Sequence, residues 1–452
     1  MDIKSSNFLL LFPLPVVFFI LGYMENLGFF SEPAALEYII IPLSLIILLI
    51  YCYKSSPAFL FTSGMTFYYY IGMCVSLLMV SSGLHMIEIN KIGNGNGAAF
   101  IMLSFFVFSL GISKTSFEFT LKKTSNNYIS RLSLKLVSTA LLIIISSVLI
   151  LGFFIFLVYS GPVLKGVNRV EFWESMKSTG LSFFPTLVIQ SFYFVVFYYL
   201  HKKYDKKRRR VGLFLLLSYL ITTILVLGEK FSAFIIYITV FFSILPSFHS
   251  NIIFRARTFF LMGLVFCALI SIVALFYILQ GRDGSFIFVR AALQGQLMWS
   301  VHNGNFPTLL ADNFSCFWGC DGFNSGADYI SYKYLPTATY THYINTGTNL
   351  SGFAPALQLL TLGIIPTVIL QTIVSGLLGF LQARMVIYNS QRNFIMGFLL
   401  FKLSFTVFLI WYAIMFTALT GGILTILAIV LYIILCKSTD RKKSLETSKH
   451  AA

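Results

Sequence analysis

The chain has 452 residues, a mean hydropathy of +0.85, 58% hydrophobic residues and only 11% charged residues. A soluble domain has about 45–50% apolar and about 25% charged residues, so this composition excludes a water-soluble globule. The 49 Phe and 24 Tyr exclude an intrinsically disordered chain. What remains is a polytopic helical membrane protein, in which the net charge of +16 must first be tested as a topology signal.

Apolar runs of about 17–25 residues can cross the roughly 30 Å hydrocarbon layer as helices. In chain order the sequence predicts twelve spans: 8–24, 38–53, 60–80, 98–112, 134–159, 181–200, 211–227, 231–246, 258–280, 355–381, 394–417 and 422–436. A β-barrel is disfavoured because its strands alternate polar and apolar residues, whereas these runs are apolar on all sides. The predicted fold is therefore all-α, with spans one to nine in residues 1–280 and spans ten to twelve in residues 355–436.

Lysine and arginine are distributed unevenly between the two sides that these spans define. If the N-terminus is cytoplasmic, 23 of these cations lie inside and 8 outside, whereas 11 of the 16 acidic residues lie outside. The net charge is then +18 inside and −3 outside, as the positive-inside rule requires. Both termini are therefore predicted to be cytoplasmic. The basic run 201–210 is interpreted as an anchor beside anionic lipid, and no nucleic-acid partner is expected.

Two predicted connections on the outer side are longer than turns. Residues 281–354 form a loop of 74 residues between spans nine and ten, and residues 160–180 form a shorter one. Long loops are uncommon in compact proteins and are often functional. The Trp and Tyr residues of these loops suit an aromatic belt at the membrane interface, but also a carbohydrate or lipid-phosphate site. Residues 437–452 are predicted to be a disordered cytoplasmic tail.

The large loop has local order of its own. Residues 284–301 (GSFIFVRAALQGQLMWSV) are predicted to form one amphipathic helix with Arg290 and Gln294 on one face. Gly295 would allow a backbone or a ligand to approach closely.

Cys316 and Cys320 are the only cysteines outside the predicted spans. An extracytoplasmic pair can form a disulfide. Free thiols remain open as well. A metal site is disfavoured because no nearby Cys or His completes a zinc quartet.

Four cations of the outer loops stand where a phosphate group could reach them: Arg169, Lys230, Arg282 and Arg290. A guanidinium presents a planar fork that matches phosphate oxygens, and cations from separate loops could converge on a pyrophosphate. The alternative is ordinary ion pairing with the acids nearby, which are Glu171, Glu174, Glu229 and Asp283.

Glycosyl transfer from a lipid diphosphate also needs a base for the attacking hydroxyl. The candidates in the outer loops are Glu174, Glu229, Asp283, His302 and His342, of which His342 is preferred because it closely precedes span ten. The sequence contains no GxxxxGK[ST], HExxH or GxSxG motif. Fixed Arg and Lys side chains can stabilise a leaving diphosphate without metal, so no metal or other cofactor is expected.

The whole pattern resembles a known family. Twelve spans, two cytoplasmic ends and one large outer loop late in the chain resemble the Wzy-type O-antigen polymerases, which are integral-membrane glycosyltransferases that use a lipid carrier. Three strings agree with this: LGEKFSAF at 227–234, RAALQGQLMW at 290–299 and NLSGFAPALQLLTLGIIP at 349–366. The last is similar to the re-entry segment of such polymerases and of the related O-antigen ligases. The ligases' His-Asn motif is not reproduced cleanly, because His302-Asn303 lacks the spaced glycine.

The resemblance implies a GT-C-like fold in the bacterial inner membrane, with the large loop in the periplasm. It implies that glycan repeat units on undecaprenyl diphosphate are donor and acceptor, and that undecaprenyl diphosphate is released. Membrane lipid and a chain-length regulator are the other implied partners. The cations that would hold the diphosphates are Arg169, Lys230, Arg282 and Arg290. Gln294, Gln296 and Trp299 would face sugar, and the catalytic candidates are His342, Glu174 and Glu229.

Three alternatives stay open: a lipid-linked oligosaccharide flippase or other transporter, an O-antigen ligase, and a membrane protein with a structural or assembly role. A transporter is disfavoured because only Lys402 is clearly charged within a span and no half-to-half repeat is visible.

Overall fold

The structure, a computed structural model, is almost entirely helical in the part of the chain that it describes. That part comprises residues 13–29, 33–123, 134–165, 167, 169–201, 206–228, 232–248, 271, 274, 278, 283, 286–304, 308–311, 314–320, 322–323, 325–346, 350, 352–415 and 418–450.

The elements follow one another along the chain as helices with one small hairpin. In the first half they are α1 (Pro13–Asn26), α2 (Pro33–Ser55), α3 (Pro57–Thr62), α4 (Gly64–Ser81), β1 (His85–Met86), β2 (Lys91–Ile92), α5 (Ala98–Lys123), α6 (Leu134–Tyr159), α7 (Gly161–Lys165), α8 (Arg169–Ser175), α9 (Phe184–His201), α10 (Lys206–Thr222) and α11 (Ser232–Ile244). In the second half they are α12 (Phe286–Ala292), α13 (Gln296–Gly304), α14 (Gly326–Tyr334), α15 (Thr337–Thr346), α16 (Ala356–Thr361), α17 (Ile364–Ser390), α18 (Phe394–Tyr412) and α19 (Ala418–His450). The strands β1 and β2 pair antiparallel.

Eight helices of the described residues are long and apolar enough to cross a membrane. They are α2, α4, α5, α6, α9, α10 with the π-helical turn that follows it, α17 and α18. Two further apolar helices, Ala233–Ser247 and Ala418–Ile434, are shorter. The chain is therefore an all-α polytopic membrane protein. Most of the predicted span 258–280 lies outside the described residues.

Several predicted helix ends are wrong. The span predicted over 98–112 continues to Lys123, where an ion pair between Lys114 and Glu118 at 3.2 Å, one helical turn apart, supports the longer α5. The span predicted over 355–381 is divided into α16 and α17, because Gly363 between them has a φ of 84°.

The tail predicted to be disordered is helical as far as His450. Residues 437–450 contain no Gly or Pro, which would interrupt a helix, and four of them are Lys, which favours one. Within the large loop, α12 to α15 (the loop helices) fold, and Cys316 and Cys320 form a disulfide.

Two clusters of buried apolar side chains hold the described helices together. The first is built from α1 to α5, the loop helices and the end of α18, and the second from α6, α9, α10, α11 and the start of α18. Helix α17 belongs to both, since Leu378 packs in the first cluster and Leu381 in the second. It therefore joins the two halves of the bundle.

Small residues let α5 and α17 approach closely. Ser113 Oγ donates to the carbonyl oxygen of Ser375 at 2.8 Å, and Ser116 Oγ donates to that of Gly376 at 2.7 Å. Gly379, one turn further, lies against the backbone of Ser113. Small residues and interhelical hydrogen bonds are what membrane helices use where they pack.

Gln371 of α17 is the centre of a buried polar network. Four hydroxyls lie within hydrogen-bond distance of its Nε2, those of Tyr70, Ser109, Ser375 and Tyr412 at 2.6–3.2 Å. Its Oε1 accepts from the indole of Trp411. An amide nitrogen has only two N–H groups, so at most two of these hydroxyls accept from it at one time. Tyr70 and Ser109 also bond each other at 2.9 Å. The network ties α4, α5, α17 and α18 together inside the bundle.

Candidate functional site

The loop helices α12 and α13 meet at a tight turn that α4 holds in place. Ser76 Oγ lies 2.7 and 2.9 Å from the carbonyl oxygens of Ala291 and Ala292, and accepts from the N–H of Gly295 at 2.6 Å. A Cβ at position 295 would lie 2.9 Å from the Ser76 hydroxyl, so glycine permits this contact, and the predicted close approach is confirmed. The prediction of one continuous helix over 284–301 is wrong. Ser76 hydrogen-bonds to backbone carbonyl oxygens that a continuous helix would use for its own hydrogen bonds.

The hairpin between α4 and α5 brings a carboxylate to this turn. Glu88 lies between β1 and β2 and is half-buried. Gln296, the first residue of α13, donates a hydrogen bond from Nε2 to Glu88 Oε2 across 208 residues of chain. Tyr343 of α15 hydrogen-bonds to the same carboxylate. Two donors from separate helices therefore hold Glu88.

Arg290 acts on the same tyrosine. Burial, the hydrogen bond to Glu88 and the charge of Glu88 raise the pKa of Tyr343 above its ordinary value, whereas the charge of Arg290 lowers it. Tyr343 is therefore a protonated phenol close to both a carboxylate and a guanidinium. Glu88, Arg290, Gln296 and Tyr343 are named here the Arg290 cluster.

The Arg290 cluster is open to solvent on one side. Arg290 is exposed, Glu88 and Tyr343 are half-buried, and Gln296 is fully buried. A guanidinium at the surface can bind an anion through two parallel hydrogen bonds, and a carboxylate held by the same tyrosine that senses this guanidinium can accept a proton. An anionic ligand that also presents a hydroxyl group would match both functions.

The other predicted residues of the large loop surround this cluster in different ways. Gln294 is exposed in the turn between α12 and α13, and His342 is exposed with its ring centroid 6.3 Å from that of Tyr343. Trp299 is buried and its indole N–H donates to the carbonyl oxygen of Asn94 at 2.9 Å. The Nε2 group of Gln296 and the indole N–H of Trp299 thus bind this chain itself, and the sugar-binding role of both residues stays a prediction.

A second cation lies in the shorter of the two loops predicted to face outwards. Arg169 is the first residue of α8. A Cβ added at Gly228 would lie 3.5 Å from the Cβ of Arg169. Trp173 fastens the same helix, since its indole N–H donates to the carbonyl oxygen of Leu227 at 3.2 Å. Arg169 therefore lies beside the turn that leads into Glu229 and Lys230. These two residues, and Arg282, lie outside the described residues.

Glu174 is engaged in a surface ion pair. Its carboxylate is 3.6 Å from Lys177 Nζ, and both side chains are more than half exposed. This is the ordinary ion pairing that the sequence left open as the alternative for the charges of the predicted outer loops, and such pairs contribute little to stability. The structure does not bring Glu174 into the Arg290 cluster.

Sequence reasoning missed Glu88 and Tyr343. Glu88 stands in HMIEINKIG, within the four residues that connect β1 to β2, where Asn90, with a φ of 52°, is the one residue typical of a turn. Its role depends on contacts with residues more than 200 positions away, which no local pattern contains.

In the described residues no group of three or more His, Cys, Asp or Glu side chains is arranged to hold a metal ion. No protein-family model, no curated protein and no solved structure matches the chain.

Proposed function

We propose that this chain is an O-antigen polymerase that joins glycan repeat units carried on undecaprenyl diphosphate. In this proposal it is a GT-C-like glycosyltransferase with about 12 transmembrane helices, located in the bacterial inner membrane with both termini in the cytoplasm. The observation that carries the proposal is the Arg290 cluster, in which an exposed guanidinium accompanies a half-buried carboxylate held by two donors.

The proposed reaction is a displacement at the anomeric carbon of the donor glycan. A hydroxyl oxygen of the acceptor glycan forms the new bond to that carbon, and the bond from the carbon to the diphosphate oxygen breaks. The electron pair of the broken bond leaves with undecaprenyl diphosphate. Arg290 stabilises the negative charge on the leaving group. Glu88 accepts the proton of the attacking hydroxyl.

The position of Arg169 suits the second substrate. Donor and acceptor both carry a diphosphate in this reaction, and one cation group cannot bind both at once. Arg169 packs beside the turn that precedes Lys230, in the part of the molecule built around the second apolar cluster. We assign Arg169 and Lys230 to one diphosphate, and Arg290 with Arg282 to the other.

The test uses lipopolysaccharide from a strain that lacks the gene. Polymerase activity predicts lipopolysaccharide capped with a single repeat unit, and complementation with the intact gene restores the ladder of longer chains. Loss of all O-antigen would instead point to a flippase or a ligase. The purified protein in liposomes, given the lipid-linked repeat unit alone, should release undecaprenyl diphosphate and yield longer glycans.

A matched pair of variants connects this test to the Arg290 cluster. Arg290→Ala should give single-repeat lipopolysaccharide at normal protein levels, because the leaving diphosphate loses its counter-charge. Lys333→Ala removes an exposed cation of α14 outside the cluster and should keep the full ladder. A full ladder from Arg290→Ala would reject the assignment of the site.

A further inference from the structure

Two glutamates are buried where the first two helices meet the start of α5. Glu25, near the end of α1, is 3% exposed, and Glu37, near the start of α2, is 0% exposed. The backbones approach closely, since a Cβ on Gly22 would lie 2.7 Å from the carbonyl oxygen of Gly97. Glu25 follows Gly22 by three residues and shares its face of α1. The Glu37 carboxylate is close enough to repel that of Glu25.

The two carboxylates have different surroundings. The groups nearest to Glu37 are the hydroxyl of Ser81 and the backbone N–H groups of Gly97 and Ala99. These N–H groups belong to the N-terminus of α5, a helix of 26 residues whose positive end favours a negative charge. None of the four carboxylate oxygens of Glu25 and Glu37 has a hydrogen-bond partner among the residues that the structure describes, so the nearby N-terminus of α5 is what distinguishes Glu37.

No cation compensates this pair within the described part of the chain, where neither glutamate takes part in an ion pair. The other titratable groups nearby are the thiol of Cys74, which senses the charge of Glu37, and His302, whose Nε2 is 3.4 Å from the carbonyl oxygen of Gly22. Burial lowers the pKa of His302 to about 4, so its imidazole is neutral at neutral pH.

Burial disfavours the charged form of a carboxyl group, and a second carboxylate nearby adds to the cost. We propose that Glu25 and Glu37 form a proton-binding site, in which Glu37 keeps its negative charge at the N-terminus of α5 and Glu25 holds the proton. Binding adds one proton to a Glu25 oxygen and removes one negative charge from the pair. The site is separate from the proposed glycosyl transfer.

The proton-binding site lies beneath the loop helix α13. Asn26, next to Glu25, donates from Nδ2 to the carbonyl oxygen of His302 at 3.3 Å. Asn96 donates from Nδ2 to the carbonyl oxygen of Trp299 at 3.2 Å. Loss of the proton places two like charges beside these contacts and weakens the attachment of α13. The site thereby links proton binding to the helix that carries Gln296 of the Arg290 cluster.

Infrared difference spectroscopy of the full chain in lipid nanodiscs tests the site directly. At neutral pH the wild-type protein should show the C=O stretching band of a protonated carboxylic acid, and Glu25→Gln should abolish it. Glu171→Gln, which alters an exposed carboxylate of α8, should leave the band unchanged. If the wild-type protein lacks the band, or Glu25→Gln retains it, the proposal is overturned.

Thermal unfolding supplies a second readout that separates a proton from a metal cation. The melting temperature of the wild-type protein should fall as pH rises from mildly acidic to mildly alkaline values, since Glu25 then loses its proton beside the charged Glu37. Glu25→Gln imitates the protonated acid and should flatten this dependence without lowering the melting temperature at neutral pH. Stabilisation of the wild-type protein by Na⁺, absent from Glu25→Gln, would instead identify a sodium site. Neither readout depends on glycosyl transfer, so failure here leaves the proposed function standing.

Discussion

The guanidinium of Arg290 is a planar fork, and that shape should matter as much as its charge. A lysine keeps the charge but presents a single point donor, so it cannot form two parallel hydrogen bonds to a diphosphate. Arg290→Lys should therefore lose about 10²–10³-fold in turnover, comparable with removal of one charge-stabilising donor. The measurement is release of undecaprenyl diphosphate by purified protein in liposomes. Turnover equal to wild type would show that Arg290 contributes only charge.

An isosteric substitution of Glu88 tests whether it, and not another candidate residue, is the catalytic base. Glu88→Gln keeps the shape and can still bond to Gln296 and Tyr343, but it cannot accept a proton. Transfer should fall by about 10²–10⁴-fold, the usual contribution of a general base, while the protein level stays normal. Glu171→Gln is the matched control on a surface carboxylate. Normal turnover by Glu88→Gln, together with an inactive His342→Ala, would move the base to His342.

At the scale of residues, the sequence shows which side chains could bind or react, but it does not show which distant residues surround them. Sequence reasoning selected Arg290 because a guanidinium in a predicted outer loop could bind phosphate. It did not find Glu88 or the Glu25–Glu37 pair, because their properties depend on which distant residues surround them. Glu25 looks like a residue at the end of a span, and only the packing of α1 on α5 makes it a buried carboxyl group.

At the scale of elements, hydropathy located α2, α4, α6, α9, α17 and α18, because an apolar run is a local property. It failed where a tertiary contact decides the outcome. The break between α12 and α13 depends on Ser76 in α4. The periodicity of residues 284–301 gives no information about a contact with a residue so distant in the chain. The contact between the small residues of α5 and α17 could not be predicted either, because the sequence does not show that these two helices are neighbours.

The contact between α5 and α17 gives a prediction about stability. A Cβ on Gly379 would collide with the backbone of Ser113, so Gly379→Val must push the two helices apart. Overpacking of this kind costs about 1–3 kcal/mol, and the melting temperature of the purified protein in detergent should fall. Gly72→Ala in α4 is the control, because nothing lies within 4 Å of its added Cβ and a helical alanine is favoured over glycine. Equal melting temperatures for both variants would contradict this account of the interface.

At the scale of the molecule, charge and fold carry different information. The net charge of +16 is mostly a matter of orientation, since the segments predicted to be cytoplasmic hold 23 of the 32 cations. The cations that could bind a substrate diphosphate are among the 8 that the same predicted topology places outside. If the orientation were reversed, Arg290 and the loop helices would face the cytoplasm, and a periplasmic polymerisation site would be impossible.

Labelling of single cysteines in intact cells decides the orientation. The variants are Ala338→Cys on the exposed start of α15 and Ser444→Cys in the C-terminal part of α19, both with Cys267 and Cys436 replaced by serine. Cys52 and Cys74 are buried and can stay. Because lysine and arginine near span ends are retained in the cytoplasm, a membrane-impermeant maleimide should label Ala338→Cys in intact cells, and Ser444→Cys only after permeabilisation. The reverse pattern would invert the topology and remove the diphosphate assignment of Arg290 with it.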